Sequence, residues 1–499
     1  MELIPSRFCV LKGFFHTSKH FPTTPHPVFR HPLSPAAGVL EFQEEDIMVA
    51  GRNGKKIYDH ITVETDLKSI MNLDQDLYFL DDDLERSDGE MVEKDLEAME
   101  KKMRKKKKKK ALIELRYRVE DAIAGNYLMG KPDRNVDIKD ADKAREELKE
   151  ITLWGVPLLP SKGHQGTDVL LHKFLKAKHY KVHEAFEMLR KTLKWRREYK
   201  ADGIVEEKLD GDLQSLVGFL NGRDREGHPL WFHANGVLMD REMWQRTFGT
   251  EEKCEELLLR WMVQNMEKGI KQLRFEKGGV DSILQITDLK NASGPATKEF
   301  RTLNKRALLL LRDNYPELVY KNIVINAPFW YYARHLVRSK IISHKTKAKL
   351  VFANPSKVTK TLLKFIAPEH LPIQYGGLMR DDDDDFSPMD KASQVAIKGN
   401  TAVTIEIPAQ VGVTMVWDVT VVGWDVVYKE EFVPDDEGSY RIQLENQKKV
   451  GESLRNCFYI SEPGRIVLTI ENPNFKYKKT VYYRSKAKPT VPMYILFSK

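Results

Sequence analysis

The hydrophobic positions of this chain fall into three successive regimes. In the first, Leu112, Leu115, Val119 and Ile123 form a stripe at three- and four-residue spacing. Leu170, Leu171, Phe174 and Leu175 repeat it, and so do Phe186, Leu189 and Leu193. Such spacing puts side chains on one face of a helix. Helices are therefore predicted from Ala111, over Lys139 to Leu153, from a cap at Thr167-Asp168, and over Val182 to Tyr199. Together they make a small helical lobe at 111–200. In the second regime, short unbroken apolar runs alternate with helical stripes. Leu230 to His233, Val280 to Ile286, Ile323 to Ala327 and Leu350 to Ala353 read as buried strands. Between and around them, Glu251 to Ile270, the stripe of Phe300, Leu303, Ala307, Leu308 and Leu311, and Trp330 to Ile342 read as helices. Strand, helix, strand in this order predicts a parallel sheet with right-handed crossovers, so 215–378 is expected to be one α/β domain. From Ala396 the period becomes two, as in Val403, Ile405 and Ile407, in Met415, Trp417, Val419 and Val421, and in Ile466, Leu468 and Ile470. With turns at Gly399-Asn400, Gly423, Gly438 and Pro463-Gly464, this predicts an all-β sandwich over 393–499.

Charge refines this picture. The net charge of +8 is modest for 499 residues, but its distribution is uneven. No acidic residue occurs between Glu317 and Glu369, while Lys321, Arg334, Arg338, Lys340, Lys345, Lys347, Lys349, Lys357, Lys360 and Lys364 do. Phe329, Trp330, Tyr331 and Tyr332 lie in the same stretch. A field of one sign beside aromatic side chains suits an anionic, partly apolar partner such as a phospholipid surface, and it also suits a plain solvated face. Residues 379–392, with five acids at Asp381 to Asp385, read as a linker that is also able to lie against the basic face. Residues 1–110 read as disordered, acidic and then lysine-rich. The first forty carry prolines and almost no acid, which fits disorder or a targeting segment. Lys101 to Lys110 is basic at every position but Met103. It suits a clamp on anionic lipid, nuclear import or nucleic-acid contact, or simple balance against the acidic residues before it.

Candidate chemistry is sparse. Three widely spaced cysteines support neither a disulfide framework nor a zinc site. His179 and His183 have metal-pair spacing but no third ligand nearby, so no metal is expected. There is no nucleophile elbow, phosphate-binding loop, dinucleotide fingerprint or zinc-protease helix, so no enzyme and no cofactor are expected. The run Phe475-Lys476-Tyr477-Lys478-Lys479-Thr480-Val481-Tyr482-Tyr483-Arg484 is expected to be a strand with aromatics inward and lysines outward, and its alternative is a surface for nucleic acid or lipid headgroups. No apolar run approaches the roughly eighteen residues a membrane span needs.

Several motifs recur in an order that resembles the plant patellins. They are Trp154-Gly155-Val156-Pro157, Lys173-Phe174-Leu175-Lys176-Ala177-Lys178, Asp224-Arg225-Glu226-Gly227-His228-Pro229, Thr287-Asp288-Leu289-Lys290-Asn291, Asp313-Asn314-Tyr315-Pro316-Glu317, Ile325-Asn326-Ala327-Pro328, Thr346-Lys347-Ala348-Lys349, Gln374-Tyr375-Gly376-Gly377 and Gly423-Trp424-Asp425. The resemblance implies an α/β CRAL-TRIO lipid-binding domain with an N-terminal helical lobe, followed by a GOLD β-sandwich. By likeness to the yeast phosphatidylinositol-transfer protein, the lipid headgroup is expected at Lys178, Glu317, Thr346 and Lys349. The membrane-facing gate is expected at Trp330, Tyr331, Arg334, Arg338, Lys340, Lys345 and Lys347. Ile283 and Gln285 stand where that protein offers hydroxyls to phosphatidylcholine, which argues against choline-lipid exchange but leaves phosphoinositide binding untouched. The resemblance further implies a cytoplasmic, peripherally membrane-associated protein of vesicle delivery and the cell plate during division. Its expected partners are anionic phospholipid and trafficking proteins, not nucleic acid. A carrier of a neutral tocopherol- or sterol-like molecule is the alternative.

Overall fold

Leu115, Val119, Ala122 and Ile123 are buried along one side of the first helix, α1 (Val92–Ala124). This is a computed structural model. It describes residues 92–130, 138–209, 218–234, 236, 251–292, 298–329, 331, 348–423, 426–447 and 453–489, all within the unit Leu67–Lys499 and outside the unit Met1–Asp66. Helix α1 starts well before the expected boundary at 110, so the lysine tract is helical. Lysine and arginine are good helix formers, no Gly or Pro interrupts the run, and the packed second half supplies the nucleus. Helix α2 (Ile138–Lys149) ends before Leu153, which instead enters a short hairpin of β1 (Thr152–Leu153) and β2 (Val156–Pro157). Helix α3 (Gln165–Ala177) is capped by His164, whose side chain accepts from the Gly166 N–H, not by Thr167-Asp168. Those two residues sit inside the first turn. The Thr167 hydroxyl donates to the Pro157 carbonyl at 2.8 Å, and Asp168 pairs with Arg116. Helix α4 (Val182–Tyr199) has the expected limits.

The α/β domain is a five-stranded sheet in the order β3-β4-β5-β6-β7, formed by β3 (Gly218–Arg223), β4 (Pro229–His233), β5 (Ile283–Asp288), β6 (Val319–Ile325) and β7 (Leu350–Phe352). The first pair is antiparallel and the other three are parallel. Helices α5 (Glu251–Ile270) and α6 (Lys298–Asn314) make the crossovers between the parallel strands β4, β5 and β6, and α7 (Val358–Leu362) follows β7. All five residues of β4 are buried, as suits a strand covered on both faces. Trp231 and Ile283 pack with α3, α4 and α5, while Leu230, Phe232, Leu284 and Ile286 pack with Leu362, Ile366 and Leu371 on the other face.

The sandwich pairs two antiparallel sheets. One is β13-β10-β15-β8, from β8 (Ser393–Ile397), β10 (Val413–Val422), β13 (Leu454–Tyr459) and β15 (Lys479–Pro489). The other is β12-β11-β14-β9, from β9 (Thr401–Ala409), β11 (Val427–Pro434), β12 (Ile442–Gln447) and β14 (Gly464–Asn472). Trp417, Val419, Val421, Tyr428, Phe432, Leu468 and Val481 fill the space between them. The alternation expected along β10 has a second buried face, because Asp418 and Thr420 are buried too.

That second face docks on the α/β domain. Asp418 is registered opposite Arg455 on one side and Arg484 on the other. Its carboxylate accepts from Arg455 at 2.7 Å, from Arg484 at 3.0 Å and from Arg380 at 3.3 Å. Arg484 also donates to the Leu378 carbonyl at 2.8 Å, Thr420 to Gly376 at 3.0 Å and Ser453 to Gly377 at 2.5 Å. The acidic segment is part of this weld. Asp383 receives two hydrogen bonds from Arg455, Asp385 pairs with Arg455 and Lys488, and Phe386 lies buried beneath both guanidiniums. The segment expected as an acidic linker able to lie against the basic face is thus held on the sandwich by Arg455, Arg484 and Lys488. The aromatic-basic run is also corrected. Phe475 and Tyr477 are exposed before β15 begins, whereas Lys479 and Arg484 are buried, the former donating to the Gly423 carbonyl at 2.8 Å.

Candidate functional site

The site is built where the end of α3 meets the turn between α6 and β6. A buried network sets that turn. Tyr315 donates to Glu267 at 2.6 Å, and Arg196 donates to the same carboxylate at 2.5 Å. Trp154 stacks on Tyr315, Phe174 and Phe275. Burial, together with the Glu267 charge, pushes the Tyr315 hydroxyl well above its usual range. Pro316 follows, and Glu317 takes a left-handed backbone at φ 54°, a strained conformation for a residue with a side chain.

Held in this way, Glu317 becomes the centre of a cationic cluster. Its carboxylate meets Lys176 at 2.7 Å and Lys349 at 2.8 Å. Its carbonyl accepts from Lys173 at 2.9 Å, and Lys173 pairs with Asp281 at 3.2 Å. Burial opposes ionisation of Glu317, but the charges and hydrogen bonds of Lys349 and Lys176 outweigh it and hold the carboxyl below its usual range. Burial lowers Lys173, and Asp281 partly offsets this. Two of the three flanking ammoniums are half-exposed, so the cluster has cationic groups at the surface and a buried base.

Of the expected headgroup residues, Glu317 and Lys349 are brought together. Lys178 is not part of the pair. It caps α3, its backbone N–H returning to Phe174 and Leu175, and its ammonium meets no described carboxylate. Lys176 stands in the expected position, one turn beyond Lys173 on the same helix face. Thr346 and, among the gate residues, Trp330, Arg334, Arg338, Lys340, Lys345 and Lys347 lie outside the described residues. Tyr331 is half-buried and stacks on Phe352 at 6.0 Å, while Phe329 is exposed. Sequence reasoning passed over Lys173, Lys176 and Asp281 as site residues. The three-residue spacing of Lys173 and Lys176 was the available signal.

Other motifs prove to be scaffold. Asp288 at the end of β5 accepts from Asn326 at 2.8 Å, from the Lys290 N–H at 2.8 Å and from Tyr375 at 2.9 Å. This ties together two strand ends and the Tyr375-Gly376-Gly377 turn. In the turn before β4, Asp224 accepts from the backbone N–H groups of Glu226 and His228, and the His228 ring stacks on Tyr320. Over the sheet, Trp231, His233 and Trp261 lie together, and their Nε1, Nε2 and Nε1 atoms are buried without a hydrogen-bond partner among the described residues. Burial lowers the His233 pKa to about 3. Among the described residues no cluster of His, Cys, Asp or Glu has the makings of a metal site, and no helix is long and apolar enough to cross a membrane.

Residues 213–377 match the family model described as the CRAL/TRIO domain, and 398–479 match that of the Patellin-1-like, C-terminal GOLD domain. Patellin-3 of Arabidopsis thaliana is 40% identical over 388 residues, covering 76% of this chain and 75% of that protein. The chain belongs to the patellin family. Patellin-4 of the same plant is 48% identical over 70% of this chain, and the match spans 64% of that protein. Patellin-6 is 41% identical over 68% of this chain and 86% of its own length. In this patellin the five-stranded mixed sheet with its helices is the CRAL-TRIO domain, and the sandwich welded to it carries the GOLD region.

Proposed function

We propose that this patellin is a non-enzymatic, peripheral membrane protein that binds a phosphoinositide and carries or transfers one lipid in its CRAL-TRIO domain. The observation that supports it is the placement of Glu317 between Lys176 and Lys349, above the buried Lys173. The phosphodiester and ring phosphate of a phosphoinositide together carry more charge than one carboxylate and accept from several ammoniums at once, so they displace Glu317 from a lysine and free that carboxylate to accept from inositol hydroxyls. The protein needs no cofactor for this. Its partners are an anionic phospholipid surface and trafficking proteins that meet the GOLD sandwich, and its place of action is the cytoplasmic side of membranes, including the cell plate during division.

Native mass spectrometry with lipid extraction of protein purified from its own cells tests this reading. A co-purifying phosphoinositide, lost in Lys349→Ala with Lys176→Ala, is the expected result. A ligand without phosphate refutes it. That outcome belongs to the second reading, a neutral hydroxylated small molecule of tocopherol or sterol type. The partnerless buried nitrogens of Trp231, His233 and Trp261 favour it, since a ligand hydroxyl satisfies such groups.

A further inference from the structure

The lysine-rich stretch of α1 is not remote from the cationic cluster. The Lys108 ammonium lies 5.0 Å from the centroid of the Tyr180 ring. The Tyr180 hydroxyl is hydrogen-bonded to His172 Nε2 at 2.9 Å, with the rings edge to face. His172 sits on α3 one turn before Lys176, which meets Glu317. Lys108, Tyr180, His172, Lys176, Glu317 and Lys349 therefore form one continuous path from α1 to the start of β7. The imidazole reports the field along this path. Burial lowers its pKa, and Lys176, Lys108 and Lys173 lower it further, with Asp281 opposing. The acids along the path, Glu317 and Asp281, are each already shared with a lysine of α3. Among the described residues Lys108 faces the ring of Tyr180 and meets no carboxylate, and the tract from Lys101 to Lys110 contains no acid to neutralise it.

Building on the phosphoinositide reading above, we infer that Lys108, Tyr180, His172 and Lys176 form a second phosphate subsite, which takes a phosphomonoester on the inositol ring while Lys349 and Lys173 serve the phosphodiester. The tract is then a built wall of the headgroup site as well as a charged surface. The aromatic face holds the Lys108 ammonium in place without cancelling its charge, as a carboxylate partner would. His172 and the Tyr180 hydroxyl share one hydrogen bond at 2.9 Å, and the pair keeps one further donor to offer beside it. A headgroup without a ring phosphate gains nothing from this wall, so the subsite selects the phosphorylated form.

The test compares the full chain on phosphatidylcholine vesicles doped with phosphatidylinositol or with its ring-monophosphorylated form. Lys108→Ala is expected to shrink the preference for the phosphorylated lipid about fivefold, the share of one lysine near an anionic surface. Lys106→Ala is the control. It lies about 200° around the helix from Lys108 and is expected to leave the preference intact. An equal fall in both variants means a diffuse field and overturns the subsite, as does no fall in Lys108→Ala. A wild-type chain that takes up neither inositol lipid shows instead that the phosphoinositide reading itself fails. Soluble inositol trisphosphate separates the sources. Binding of it that depends on Lys108 in the absence of vesicles assigns the same subsite to free inositol phosphates, and binding indifferent to Lys108 counts against it.

Discussion

Replacing Asp418 with alanine removes the carboxylate shared by Arg380, Arg455 and Arg484 at the seam between the CRAL-TRIO domain and the sandwich. The Asp418 side chain is 0% exposed and that of Arg484 is 3% exposed. Deleting one partner of such a buried pair ordinarily destabilises by about 3–5 kcal/mol, because the other charge is left without compensation. Some compensation remains. Arg484 keeps the Leu378 carbonyl at 2.8 Å and Asp383 at 3.5 Å, and Arg455 keeps Asp383 at 2.6 Å. The expected loss therefore sits at the low end, about 3 kcal/mol, and falls on the seam. Global unfolding of two joined domains is not a two-state process, so limited proteolysis within 379–392 is the better assay. If the seam opens and closes faster than the protease cuts, cleavage should rise about 100-fold. Asp418→Leu with Arg484→Met should restore most of the protection, since it removes both charges and keeps the volume. A rise below about fivefold in Asp418→Ala, or no recovery in the double variant, would refute the claim that this cluster holds the two domains together.

Three further outcomes are expected. His233 is buried and neutral, with its pKa lowered to about 3, so below the free value of about 6.5 the unfolded chain binds a proton that the folded chain refuses. Stability should fall by about 1.4 kcal/mol per pH unit between pH 6 and pH 3, and denaturation midpoints of His233→Phe should lose that slope. Gly377→Ala places a Cβ 1.8 Å from the Leu371 carbonyl oxygen, so it should destabilise by at least about 2 kcal/mol in thermal melts, with Gly412→Ala, whose Cβ meets nothing within 4 Å, as the milder comparison. Lys176→Ala should weaken inositol-lipid loading in a transfer assay about tenfold and Lys178→Ala less than threefold. The reverse order would return the headgroup role to Lys178.

The limits of several elements followed from local pattern. Helices Val182–Tyr199 and Glu251–Ile270 have the expected ends, and the four apolar runs of the α/β domain each became or overlapped a strand. The motif set was legible as well, although its parts divide unexpectedly. Asp288, Asn326 and Tyr375 brace the ends of strands, while Glu317 and Lys349 meet at the site.

What periodicity determines is which residues share a face, because side chains three or four apart on a helix, or two apart on a strand, must point the same way. It cannot say what covers that face. Along β10 the apolar residues alternate with polar ones, yet Asp418 and Thr420 are buried as well because another domain sits on that side. The acidic run read as a linker, yet Arg455 and Lys488, distant in sequence, hold Asp383 and Asp385. Along the chain Lys178 was the candidate and Lys176 was passed over. The angle at which α3 meets the Tyr315-Pro316-Glu317 turn gives Glu317 to Lys176, and the packing of α1 over Tyr180 adds Lys108. Pattern along the chain set the elements and their apolar faces, and long-range packing chose the partners of the charges, because ion pairs carry no periodic trace in sequence.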